Sequence, residues 1–413
     1  MQLDSDFVRS YFPSFEQPNL TGWAFLENAG GSFMCNPVIE ALNSYYLTHK
    51  VQPYHAYPAA LEAGALMDSA KNRLAEMLNV ATSEVNFGPS TSQNTYNLSQ
   101  ALAESFQAGD EIIVTNQDHE ANIGVWRKLE SRGFVIKQWS IKSETGELNI
   151  KDLATLLNEK TKAVAFTHCS NIVATTNPVR EITDLIRAAG AISIVDGVSY
   201  CGHGLPDVKA LGADIYLLSL YKVYGPHLGV MVLSDELNKS LPYQGHYFNK
   251  EKSGYRFTPA GPDHAQIAAV NGVVDYIDII YEHHFVTSNC KTEDNPSTRA
   301  NKVMKLFQKH EHDITQPLLN FIDSHEQLQL IGLTDASKRA PTVSFRSNKY
   351  DPLTLTKALA EEKIMVGSGH FYSYRLLEGL GLNPEEGVCR ASLVHYNTSE
   401  DVTRLINALE KIH

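Results

Sequence analysis

The strongest constraint on this chain is a succession of short apolar runs: "EIIVTNQ" (111–117), "KAVAFTH" (162–168), "AISIVDG" (191–197), "DIYLLSL" (214–220) and "GVMVLSD" (229–235). Each is rich in Val, Ile or Leu and lacks a polar face, as strands covered on both sides do. Between the second and third runs, "NPVREITDLIRAAG" (177–190) is amphipathic, with Pro178 near its start and Gly190 beyond its end. It reads as a helix. This alternation predicts an α/β fold with a mainly parallel sheet and right-handed crossovers.

Past about residue 265 the texture changes. Two long helical patterns (263–284 and 295–325) precede a mixed tail in which "APTVSF" and "CRASLVHY" are strand-like and "DPLTLTKALAEEK" and "TSEDVTRLINALEKI" helical. The expected organisation is an N-terminal segment (1–20) joining the smaller domain, a large domain (21–265) and a smaller α+β domain (266–413). A chain of 413 residues, 43% hydrophobic, is long enough for two such cores. Its net charge of -12 without a Lys/Arg block argues against nucleic-acid or anionic-membrane partners. No apolar stretch reaches the roughly 18 residues of a membrane span. The acidic start "MQLDSDFVRSYF" lacks the apolar core of a signal peptide, so a reducing cytoplasm is the expected setting. The five cysteines, Cys35, Cys169, Cys201, Cys290 and Cys389, form no CxxC pair. "YEHHF" and "KHEHD" lack ligand spacing and read as helix faces, so no metal is expected.

In an open parallel sheet, ligands bind beyond the carboxyl ends of the strands. The polar residues there are Asp118, His119, Glu120, Thr167, His168, Asn171, Asp196, Ser199, Ser219 and Lys222. A lysine so placed is a phosphate clamp, a structural ion pair or a Schiff-base nucleophile whose amine is freed by desolvation. A carboxylate on another strand end is what a pyridine cofactor requires to keep its ring nitrogen protonated, which points to pyridoxal 5'-phosphate. Ser90, Thr91 and Ser92 stand before an apolar-periodic helix, where a phosphate finds hydroxyls and free backbone N–H groups.

These residues, in this order, resemble the pyridoxal-phosphate-dependent class V aminotransferase fold family, and within it the cysteine desulfurase/selenocysteine lyase-like group. The similarity runs through "FLENAGGSFMCNPVIEAL" (25–42), "DHEANIGVW" (118–126), "THCSNIVATTNPVREI" (167–182), the stretch 194–230 and "CRASLVHYNTSEDVTRLINALEKI" (389–412). It implies the type I fold of pyridoxal-phosphate enzymes, with a seven-stranded, mainly parallel sheet, and a homodimer acting on an amino acid. It also implies residue roles. Lys222 carries the cofactor and shuttles the substrate's Cα proton, Asp196 pairs with the pyridine nitrogen, and His119 stacks on the ring. Thr91, Ser92, Ser219 and Tyr221 are assigned to phosphate, with Ser199 near the ring. Asn171 lies near the ring hydroxyl and the substrate carboxylate, which Arg390 grips. Asn28, His55, His370 and Tyr372 complete the expected substrate side.

One departure bears on the reaction. The group's nucleophilic cysteine follows a Gly-His pair that here is Gly369-His370, and Tyr372 takes its place. A phenol does not accept sulfur as a thiolate does. Elimination of a sulfur or selenium group is therefore the leading expectation. Desulfuration through another cysteine, epimerisation or transamination, and a non-catalytic binding role are the alternatives.

Overall fold

The computed structural model describes every residue except 253, 260 and 287–293. The strands are β1 (Ala24–Phe25), β2 (Val85–Gly88), β3 (Glu111–Thr115), β4 (Val135–Trp139), β5 (Thr161–Thr167), β6 (Ile192–Asp196), β7 (Ile215–Ser219), β8 (Gly229–Leu233), β9 (Leu328–Ile331), β10 (Thr342–Ser347), β11 (Ile364–Met365), β12 (Gly367–Gly369) and β13 (Val388–Ser392).

A seven-stranded sheet has the order β2-β8-β7-β6-β5-β3-β4. Only β8 runs against the others, because the short connection after β7 returns the chain directly as an antiparallel neighbour. The strand order reverses between β3 and β5, and the carboxyl ends of β3, β5, β6 and β7 lie side by side. The fully buried rows of β3 and β7 explain why these runs lack polar faces. The helix His264–Phe285 packs on Asn36–Thr48 and Pro58–Met77, and all three contribute to the same apolar core.

A four-stranded antiparallel sheet (β12-β13-β10-β9) and the parallel pair β1–β11 make a second unit. Its core joins Ala24 and Leu26 to apolar residues between Ile314 and Leu409. On these two cores we propose the division into a large and a smaller domain, with the β1 segment going with the smaller one. The first residues bridge both units: His283 stacks on Phe7 at 3.7 Å, and Arg9 pairs with Asp401 at 3.4 Å.

Candidate active site

Lys222 ends a short 3-10 turn (Leu220–Lys222) at the carboxyl end of β7. It opens into a cavity of about 470 Å³ that Thr91, Ser92, His119, Asn171, Asp196, Ser199, Ser219, Tyr221 and Tyr372 also line. Burial, aided by the Arg390 charge, pushes the Lys222 ammonium down to about 8, while Asp196 opposes the shift. At neutrality the ammonium still predominates, but the free amine makes up roughly a tenth of the population, far more than for a lysine at its ordinary value.

Asp196 closes β6, and its Oδ1 accepts the Val198 N–H at 2.8 Å. No donor among the described residues meets its Oδ2. Asp118, just beyond β3, is also buried; it accepts from the His119 N–H at 3.0 Å and the Asn122 side chain at 2.8 Å. Burial raises both carboxyls, and the Asp196 charge raises Asp118 further. Two buried carboxylates beside one cavity call for a cation between or against them. Asp196 would supply the carboxylate partner for a protonated pyridine nitrogen.

The opposite end is made for an anion. Ser90 caps the helix Thr91–Ser105, its hydroxyl accepting from the Gln93 N–H at 3.2 Å. That leaves the Thr91 and Ser92 N–H groups without acceptors among the described residues, at the positive end of a 15-residue helix. The Thr91 hydroxyl lies 2.7 Å from that of Ser219 and donates to the Leu218 carbonyl at 3.0 Å. Gly229 lets the helix start approach the sheet, since a Cβ there would sit 2.3 Å from the Ser90 carbonyl carbon.

The walls suit a flat ring. His119 accepts the Ala121 N–H on Nδ1 at 3.1 Å, and burial, then the charges of Lys222 and Arg390, pushes it down to about 3. It presents a neutral imidazole. Tyr221 stacks on His227 with centroids 5.0 Å apart and planes at 7°. The residues therefore fit pyridoxal phosphate at the nitrogen, the phosphate and the aldehyde-bonding amine. His227, Asp118 and Cys169 also line the cavity without a role in the sequence reading. His227 follows Gly225-Pro226, five residues after Lys222, but a lone histidine after Gly-Pro carries no signal by itself.

Other expected site residues are placed differently. Asn171 reaches the cavity, but its amide is spent on the loop of the smaller unit: Nδ2 donates to the Phe371 carbonyl at 2.9 Å, and Oδ1 accepts from Ser373 at 2.6 Å. Arg390 does not line the cavity; it is 3% exposed, paired with Glu27 at 3.0 Å and covered by Phe371. Asn28 is buried, donating to the Ser392 carbonyl at 2.7 Å and accepting from Tyr396, so it ties β1 to β13 rather than facing a substrate. His55 is exposed outside the cavity lining, beside Tyr57. His370 lines an adjoining recess with Glu120, Tyr372 and Arg375.

The family model for Aminotransferase class-V matches residues 24–286 and 299–405. An aminotransferase-like protein of Gibberella zeae is 34% identical over 416 residues, 98% of this chain and 97% of its own. A cysteine desulfurase of Yersinia pseudotuberculosis is 27% identical over 432 residues, 100% of this chain and 99% of its own. Among solved structures, the apo cysteine desulfurase of Thermococcus onnurineus superposes with a TM-score of 0.85 at 23% identity, covering 100% and 98% of the two chains. The Escherichia coli cysteine desulfurase CsdA gives 0.84 at 19% identity, with 100% and 98% coverage. These two likenesses establish the shared fold. With the lysine, carboxylate and phosphate cradle in place, the chain belongs to the aminotransferase class-V family and is a pyridoxal-phosphate-dependent enzyme.

Proposed function

We propose that this enzyme eliminates a sulfur- or selenium-bearing group from Cβ of an α-amino acid. The observation that carries this is the absence of a usable thiol at the site among the described residues. Tyr372 stands at the cavity rim, 67% exposed. Cys35, Cys169, Cys201 and Cys389 are buried, and burial pushes each thiol up to about 12. Cys169 lines the cavity, but its Sγ donates to the Ala174 carbonyl at 3.2 Å, which suits a thiol rather than a thiolate. Cys290 lies outside the described residues.

Bound pyridoxal phosphate supplies the electron sink that makes a carbanion at Cα accessible. The chain's residues do the rest. Thr91, Ser92, Ser219 and the helix start hold the phosphate, and Asp196 keeps the ring nitrogen protonated. The face of His119 confines the ring. The Lys222 amine would take the substrate's Cα proton. The Cβ–S bond then breaks with its electron pair leaving on sulfur. Hydrolysis adds one water per turnover, so cysteine yields pyruvate, ammonia and hydrogen sulfide. Arg390 is the proposed partner of the substrate's carboxylate. Exposed Tyr54, Tyr57, Tyr247 and Phe248 support a homodimer, checked by sedimentation. No helix among the described residues is long and apolar enough to cross a membrane, and a cytoplasmic setting is part of the proposal.

The experiment is incubation of the holoenzyme with L-cysteine or L-selenocysteine. Pyruvate is followed by a coupled dehydrogenase and bound persulfide by alkylation and mass spectrometry. Pyruvate and sulfide in equal amounts, without persulfide, are expected. Persulfide that disappears on one Cys→Ala change would overturn the proposal in favour of desulfuration.

A further inference from the structure

The Arg390 guanidinium is only partly engaged. One terminal nitrogen donates to Glu27 Oε1 at 3.0 Å, the other to the Asn171 carbonyl at 3.2 Å. Its Nε is buried and has no acceptor. The Glu27 contact is thus single, although a guanidinium offers a carboxylate two parallel bonds. Across its face lies the Phe371 ring, 3.7 Å from Cζ.

The surrounding backbone is shaped around both covering groups. A Cβ on Gly30 would fall 2.3 Å from Glu27 Oε2. One on Gly367 would fall 2.8 Å from the Phe371 ring and 3.1 Å from Glu27 Oε1. Phe371 and Tyr372 adopt φ of 47° and 59°, a left-handed conformation that side-chain-bearing residues hold only at a cost. Two contacts keep them there: Asn171 donates to the Phe371 carbonyl, and the Glu120 N–H donates to the Tyr372 carbonyl at 2.8 Å. Three of these residues, Glu120, Asn171 and Tyr372, line the Lys222 cavity, and the charges of Arg390 and Glu27 are felt at Lys222.

We propose that Glu27 and Phe371 form a displaceable plug on Arg390, so that a substrate carboxylate binds by taking the place of Glu27 and lifting Phe371 away. The inference rests on the proposed role of Arg390 as carboxylate partner. The incoming carboxylate completes the bidentate pair that Glu27 leaves half made. Because each binding event breaks the internal pair, the plug weakens every carboxylate alike, and a small one that brings no amine for the cofactor side has nothing to offset that cost. Glu27 acts here through Arg390, setting how tightly a carboxylate binds.

The test titrates the holoenzyme with propionate by calorimetry, alongside KM and kcat for L-cysteine. Breaking a partly exposed ion pair sets the scale: Glu27→Gln is expected to bind propionate about fivefold tighter and lower KM to match, with kcat within about twofold of wild type. Phe371→Ala, which changes no charge, is expected to shift both in the same direction. The gain is expected to vanish when Arg390→Gln is added. If Phe371→Ala leaves propionate binding and KM unchanged, the plug is overturned, and a gain in Glu27→Gln alone is then charge neutralisation. If Arg390→Gln by itself leaves KM unaltered, it is the carboxylate role of Arg390 that fails.

Discussion

The Thr91 hydroxyl lies 2.7 Å from that of Ser219, joining the first residue of a helix to the last residue of the inner strand β7. Both residues then face a phosphate at that helix start. Thr91→Val keeps the shape and removes the hydroxyl. A lost hydrogen bond to a charged group costs about 1.5–3 kcal/mol, so apoprotein titrated with pyridoxal phosphate should bind at least about tenfold more weakly. Quenching of intrinsic fluorescence measures it.

Gly229 serves the same cradle from below. A Cβ added there would lie 2.3 Å from the Ser90 carbonyl carbon and 2.5 Å from the Thr91 nitrogen, both backbone atoms that do not swing aside. Gly229→Ala should therefore displace the helix start, at a cost of about 1–3 kcal/mol in stability. Urea unfolding gives that cost, and the cofactor titration should show weaker binding in the same variant.

What was legible in the sequence followed from burial on both faces. The runs ending at Asp196 and Ser219 have no polar side, so their type and the position of the crevice could be read directly. β2, four residues long, and β4, an edge strand whose Val135 is exposed, lack that signature and were not singled out. The reversed direction of β8 depends on the turn geometry after Lys222, which no residue spacing states. The largest gap is at Arg390. The resemblance assigned Arg390 to the substrate's carboxylate; the contact with Glu27, 363 positions away, is made only in the packed fold.

Lys222 makes the site sensitive to pH in a definite direction. Burial, then the Arg390 charge, holds its ammonium down to about 8. Only the free amine attacks an aldehyde, so the rate at which apoprotein captures pyridoxal phosphate should rise with pH and level off above about 8. Removing the Arg390 cation relieves the repulsion that disfavours the protonated amine. Arg390→Gln should therefore move the midpoint upward. Stopped-flow absorbance across the pH range reads both, and a midpoint that falls or stays put contradicts the assignment.

His168 predicts acid lability. Its Nδ1 lies 2.8 Å from the Tyr216 hydroxyl, its ring stacks on Tyr200 at 3.6 Å, and burial pushes it from 6.5 down to about 3. Below pH 6.5 the unfolded chain binds a proton there that the native state refuses, so stability falls as pH drops toward 3. Between pH 7 and pH 5 this one group costs about 2 kcal/mol. Urea denaturation at both pH values should show the loss, and it should shrink by about that amount in His168→Gln.

Tyr372 offers the sharpest contrast between elimination and desulfuration. Its side chain is 67% exposed at the rim, its ring centroid 5.1 Å from that of His119. The backbone contact that holds the residue, from the Glu120 N–H to its carbonyl, does not involve the side chain. Tyr372→Cys should therefore keep the loop and place an exposed thiol, with a pKa near its ordinary value of about 8.5, where the leaving sulfur departs. After incubation with L-cysteine, the variant should carry a persulfide at position 372, detected by alkylation and mass spectrometry, while wild type carries none. Part of the product should shift from pyruvate to alanine, because sulfur captured by the thiol leaves a carbanion to be reprotonated. A variant with unchanged cofactor absorbance and no persulfide would show that the sulfur never departs toward residue 372.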